Sequence, residues 1–175
     1  IRRQRQMCIR DSTNNVPVHK GDVFFIESGT LHAIGKGILI AEIQQNSNTT
    51  YRVYDYGRVG KDGKPRELHI EKAIDVTELC PPKYDTKPQG KPVKIDGGEE
   101  TLLRSCEYFN VHKIKVSGTV TLDADEKSFM SVLVLDGSGK IGELDAKKGD
   151  SFFVPAGYGR FTLTGNLEVI LSDIV

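Results

Sequence analysis

Apolar positions come in short runs separated by glycine, asparagine and proline, the pattern of strands joined by tight turns. Residues 23–26 and 152–154 are continuous apolar runs. Each follows a Lys-Gly-Asp turn signal and ends at a small, glycine-containing step, so each reads as a short buried strand. Leu39, Ala41 and Ile43 alternate with Ile38, Ile40, Glu42 and Gln44, which predicts a strand over residues 38–44. Residues 51–56 predict another, with Arg52, Tyr54 and Tyr56 on one face, and residues 60–65 close a loop. Apolar residues at 70, 73, 74 and 76 favour a short helix. Four of the seven prolines fall within 81–92, where the missing N–H and fixed dihedral favour extended connector over central strand. Beyond Glu99 the pattern is all β, with strands expected at 108–116, 119–122, 129–135, 151–155, 159–163 and 167–175. Turns at 136–139 and 164–166 are expected to separate them.

The two runs after Lys-Gly-Asp belong to one repeated phrase. From Gly21 the chain reads glycine, five residues, Glu27, Ser28, Gly29, two residues, His32. From Gly149 it reads glycine, five residues, Pro155, Ala156, Gly157, two residues, Arg160. Self-similarity of this kind marks one supersecondary unit used twice. The spacing G-x5-P-x-G-x2-H resembles the second motif of the cupin superfamily, small jelly-roll barrels with a metal in the lumen. The first copy carries Glu27 where cupins have proline, and the second carries Arg160 where they have histidine. An imidazole is a ready metal ligand and a guanidinium has no accessible lone pair. The first unit is therefore read as the chemical one and the second as a barrel without a site. The expected fold is all-β: a partial catalytic barrel followed by a second, degenerate cupin barrel. The expected organisation is a non-matching leader at 1–14, the later strands of a catalytic cupin domain at 15–78, a proline-rich linker at 79–95, and a second β domain at 96–175.

Charge and cysteines narrow the partners. With 24 basic and 24 acidic residues the chain has no formal net charge, which argues against nucleic acid or an anionic membrane surface as partner. No apolar run reaches the length of a membrane span. Cys8, Cys80 and Cys106 are scattered and odd in number, which suggests neither a disulfide framework nor a zinc knuckle and makes a reducing cytoplasm the default. The arginine-rich stretch 1–13 lacks the apolar core of a secretory signal and is expected to be a leader without function.

The block GTLHAIGKGILIAEIQQNSNTTYRVYDYGR at 29–58, continued by RELHIEKAIDV, is similar to the zinc-dependent mannose-6-phosphate isomerases of the short bacterial type. The resemblance covers roughly residues 15–175. It implies interconversion of mannose 6-phosphate and fructose 6-phosphate, one zinc ion per complete enzyme, His32 as a zinc ligand and Arg52 as the catalytic arginine. Two early ligand segments of the family, a Gln-x-His stretch and a glutamate, match nothing here, since His19, His69 and His112 all lie outside such a context. The chain is thus expected to be the carboxy-terminal half of such an enzyme, inactive as a fragment, with a sugar phosphate as substrate.

Other readings stay open on the residues alone. Arg52 beside Asp55 is also what a surface arginine looks like, and a lone histidine next to an apolar strand is commonly structural. Glu42 and Gln44 fit a satisfied polar pair at a barrel mouth as well as a substrate contact. A non-catalytic sugar-binding or regulatory cupin would keep the cavity without the full metal shell. A cupin dioxygenase would need two histidines and a carboxylate around iron.

Overall fold

The computed structural model describes residues 12–175, which form two compact units, residues 12–40 with 46–85 and residues 41–45 with 86–175. Most of the expected leader, with Cys8, lies outside the described residues.

The second unit holds eight strands: β1 Val93–Ile95, β2 Gly98–Ser105, β3 Phe109–Val116, β4 Thr119–Ala124, β5 Met130–Ile141, β6 Leu144–Lys147, β7 Ser151–Val154 and β8 Gly159–Ile174. All pair antiparallel in one sheet of order β1-β2-β3-β8-β5-β6, with β4 also on β8 and β7 on β5. Because β8 pairs with β3, β4 and β5, the sheet wraps around a single core. Alternate residues point inward, so Ile114 and Val116 of β3, Val132 and Val134 of β5, and Leu163 and Val169 of β8 are almost wholly buried. This apolar filling is what drives the unit to close.

The expected breaks at 136–139 and 164–166 are not there: β5 and β8 run straight through them. The glycines that read as turns are where the two backbones press together. Gly139 faces Gly165 in register, and a Cβ on Gly139 would lie 1.9 Å from the Thr164 carbonyl oxygen. The register shift between Val134 and Asp136 bends β5 at the same place. Glycine inside a strand therefore marks a corner of the wrapped sheet. β1, β2 and β6 lie outside the strands read from the sequence, and β5 and β8 are longer than expected. Gly139→Ala is expected to destabilise this unit by about 2–3 kcal/mol in urea unfolding, because backbone must move to admit the methyl group. Gly118, whose nearest neighbour to a new Cβ is 3.7 Å away, is the internal control and should change by less than about 1 kcal/mol.

Among the described residues the first unit contains one regular element, helix α1 Ile70–Val76, as the apolar spacing predicted. Thr77 closes it, its N–H and its hydroxyl both donating to the Ala73 carbonyl, at 2.9 and 2.6 Å. The strands expected at 23–26, 38–44 and 51–56 do not form. A strand's backbone groups are satisfied only by a neighbouring strand, and among the described residues none runs beside these segments. Their side chains show the same lack of cover. Leu39 is 92% exposed, Phe24 and Ile26 are exposed, and Ala73 is the buried apolar residue of this unit.

The repeat nevertheless survives at the level of turns. In the first copy Asp22 N–H donates to the His19 carbonyl, the Asp22 carboxylate accepts from His19 N–H, and Gly21 has φ +99°. In the second, Asp150 N–H donates to Lys147, the Asp150 carboxylate accepts from Lys147 N–H, and Gly149 has φ +91°. The later step also matches. Thr30 N–H donates to Glu27 O across left-handed Gly29, as Tyr158 N–H donates to Pro155 O across left-handed Gly157. Glu27 in place of proline leaves this turn intact.

Candidate functional site

His32 follows the Gly29 step. The Gly29 carbonyl accepts from Glu78 N–H at 3.0 Å, just past α1, and a Cβ on Gly29 would sit 2.7 Å from the Val76 carbonyl oxygen. Glycine at this position thus anchors the His32 turn to the helix exit, which no larger residue could do without displacing backbone. The His32 side chain is exposed, and its Nδ1 lies 2.9 Å from the Thr30 carbonyl oxygen. A carbonyl only accepts, so Nδ1 is the donor in this bond, and in the neutral ring the lone pair is then on Nε2. A backbone carbonyl orienting one ring nitrogen while the other stays free is the arrangement that suits an imidazole to a metal ion.

Arg52 lies in a second cluster of the same unit. Its backbone is clamped to residue 69, with His69 N–H donating to Arg52 O at 2.7 Å and Arg52 N–H donating to His69 Nδ1 at 3.2 Å. The second bond uses the imidazole, so the side chain of His69 is spent on holding the Arg52 segment. The side chain is 22% exposed. Its Nη1 donates to the Glu67 carbonyl at 3.2 Å, and Nε stands 3.8 Å from Asp55 Oδ1.

Asp55 joins these parts. Its carboxylate is 11% exposed and takes a forked pair of hydrogen bonds from Arg66, Nε donating to Oδ2 at 2.7 Å and Nη2 to Oδ1. Those hydrogen bonds hold the Asp55 carboxyl below the ordinary carboxylate range. Desolvation opposes this in part, while the charges of Arg66, Arg52 and Arg58 add to it. A carboxyl whose folded value is depressed stabilises the fold above its unfolded value, and that contribution is lost as pH falls through the folded value. The segment then reverses at once. Tyr56 (φ +53°) and Gly57 (φ +70°) are both left-handed, and Arg58 N–H donates to Asp55 O at 2.9 Å. This tight turn, of the kind that joins two strands of a hairpin, stacks Tyr54 edge-on against Tyr56 with ring centres 4.8 Å apart. The loop after it closes as expected, with Val59 bridged to Pro65 and Gly60 N–H on Lys64 O at 2.7 Å.

Among the described residues no hydrogen bond or ion pair joins His32 to Arg52, and the two sit in separate clusters. Arg66 and His69 fix the Arg52 segment; no sequence signal marked Arg66 for this role and His69 was weighed only as a metal ligand, so the spacing Arg52-x2-Asp55 was the one legible signal. Glu42 and Gln44 are exposed and make no hydrogen bond or ion pair among the described residues. In the second copy Arg160 is 83% exposed, with Nε 3.8 Å from Asp123 across the β4–β8 pair. Among the described residues no three side chains of His, Cys, Asp or Glu come together as a metal cage.

Residues 98–174 match the family described as mannose-6-phosphate isomerase, cupin domain. Over 163 residues the chain is 44% identical to mannose-6-phosphate isomerase ManA of Bacillus subtilis, covering 91% of this chain and 51% of that protein. It is 40% identical over 161 residues to the mannose-6-phosphate isomerase of Streptococcus mutans, covering 90% of this chain and 50% of the relative. A solved structure, that of the mannose 6-phosphate isomerase from Bacillus subtilis, superposes with a TM-score of 0.63 at 36% identity. The superposition covers 73% of this chain and 41% of that one. The chain therefore spans about half the length of the curated relatives it matches.

Proposed function

We propose that the chain belongs to the cupin-type mannose-6-phosphate isomerases and carries part of the active site of an enzyme interconverting mannose 6-phosphate and fructose 6-phosphate. The observation that carries this reading is the imidazole of His32, oriented by its Nδ1 contact to the Thr30 carbonyl in an exposed turn, with Nε2 directed to no partner among the described residues. We assign His32 as one ligand of a zinc ion and Arg52 as the residue that meets developing negative charge. The donor type fits zinc. The donor number does not, because a catalytic zinc takes three protein ligands and the described residues bring together no such set. No step of the reaction is therefore routed through the metal here.

What this chain's residues can do follows from their chemistry. Converting an aldose to a ketose removes a proton beside a carbonyl and builds negative charge on the enediolate oxygens. A guanidinium is charged at every working pH and offers several donors in a fixed fork. Arg52 donates Nη1 to Glu67 and rests Nε against Asp55, so the guanidinium is held at two points, and among the described residues its remaining N–H groups make no hydrogen bond that would keep them from substrate oxygens. Pinning of this kind lowers the entropy lost when the transition state forms. The same reading places the enzyme in the cytoplasm, and among the described residues no helix is long and apolar enough to cross a membrane. A non-catalytic sugar-binding cupin is the reading that the ligand count alone favours.

The two readings separate when residues 15–175 are joined to the half of Bacillus subtilis ManA that they do not match. The fusion is expected to isomerise mannose 6-phosphate, to lose that activity to a chelator, and to hold one zinc ion per chain by elemental analysis, the second barrel binding none. A fusion that binds the sugar phosphate without turnover supports the binding protein, and two tightly held ions contradict the assignment of Arg160 to a metal-free position.

A further inference from the structure

The second unit carries a basic groove in which neither His32 nor Arg52 takes part. β2 and β3 pair so that Glu99 faces Lys115 and Thr101 faces Lys113, which puts these four side chains on one face. Residues 87–92 run along the outer edge of β2, held by Gln89 N–H on Leu103 O at 3.0 Å and Gly90 N–H on Leu102 O at 2.9 Å. Gly90 permits this approach, since a Cβ there would stand 3.1 Å from Leu102 Cβ. Between the strap and the strands lies an open groove of about 420 Å³, lined by Lys87, Lys91, Lys113 and Lys115 with Glu99 and the buried Thr101. That volume is in the range of small-molecule sites.

The charge in the groove is out of proportion to the chain. Lys91 and Lys113 line the groove beside Lys87, which is already engaged, and Lys115, in a protein with no formal net charge. Glu99 is already engaged with Lys115 at 3.7 Å, and Glu168 lies beside Lys115 on β8. No carboxylate pairs with Lys91 or Lys113 among the described residues. Like charges held on adjacent positions of one rigid strand face repel, and an oxyanion between them removes that repulsion. Lysine meets a phosphate as a mobile point charge with three donors, and several lysines around one concavity suit a dianion. A polyanion such as nucleic acid would call for a wider basic surface than an uncharged chain offers.

We propose that this groove binds the phosphate group of a small phosphorylated molecule. The proposal does not rest on the isomerase reading, and its residues lie outside the His32 and Arg52 clusters. It is tested on the 175-residue chain by titrating inorganic phosphate and mannose 6-phosphate while following the amide resonances of residues 87–91, 99–101 and 113–115. Mannose, and sodium chloride at matched ionic strength, serve as controls. Saturable shifts at these residues at about millimolar or lower concentration are expected with both phosphates and not with the controls. Equal affinities would mean that the groove takes the oxyanion alone, and tighter binding of the ester would mean that the sugar also contributes. The double substitution Lys91→Gln, Lys113→Gln should weaken binding by about tenfold or more with the rest of the spectrum unchanged. Lys94→Gln, an exposed lysine on β1 outside the groove, should not. Absence of shifts, equal shifts with sodium chloride, or the same loss from Lys94→Gln would overturn the proposal.

Discussion

The 175-residue chain on its own is expected to turn over no mannose 6-phosphate with added zinc, and its backbone amides are expected to exchange in two classes. Amide protection tracks the free energy of opening, which is near zero where few apolar contacts and few backbone hydrogen bonds must break, and approaches the global stability in a packed sheet. In the second unit Ile114, Val132, Leu163 and Val169 are fully buried and eight strands are paired. Residues 16–68, most of them in the first unit, carry no strand among the described residues, and Leu39 and Leu79 are more than nine-tenths exposed. If the second unit has an ordinary domain stability of about 5 kcal/mol or more, its slowest amides should exchange at least about a thousandfold more slowly than those of residues 16–68. The exposed apolar side chains of the first unit should also make the chain self-associate as its concentration rises. One imidazole cannot hold zinc where three ligands are needed, hence the absent turnover. Measurable isomerisation, or protection over 16–68 equal to that over 98–174, would refute this reading.

The contrast between the units also explains what the sequence disclosed. The core of the second unit was legible because period-two alternation is a direct image of a sheet with one face buried, as Ile114 and Val116 of β3 or Val132 and Val134 of β5 show. Its corners were not. Gly137, Gly139 and Gly165 read as turns by composition, and only the approach of two distant strands reveals that they relieve a backbone clash. In the first unit the local signals held and the non-local ones failed. The turns at Gly21 and Gly29 and helix α1 need only neighbours in sequence, whereas strands at 23–26 or 38–44 need a partner strand that the alternation cannot supply. The histidine and arginine were singled out by spacing and resemblance. Their supports were hidden, because the bond from Arg52 to His69 and the fork from Arg66 to Asp55 span 17 and 11 residues and obey no local rule.

Within the fusion to the unmatched half of ManA, Arg52→Ala is expected to lower kcat by at least about a hundredfold, because loss of one donor to transition-state charge costs several kcal/mol. The metal content should stay at the parent level, since Arg52 is not a ligand. The structure makes a structural explanation of such a loss separable. The Arg52 side chain gives one hydrogen bond to a carbonyl and a 3.8 Å approach to Asp55, while the clamp to His69 runs through backbone atoms of residue 52 that alanine retains. The fold around position 52 should therefore survive, with an unfolding midpoint close to the parent's. Arg52→Lys restores the charge without the fork, and partial recovery of kcat is expected from it if charge is the greater part of the effect and none if the paired geometry is. If substrate binding were the role of Arg52, KM would rise with kcat preserved. Unchanged kcat in Arg52→Ala, with zinc and stability also unchanged, would remove Arg52 from the active site and leave it as a surface arginine paired with Asp55.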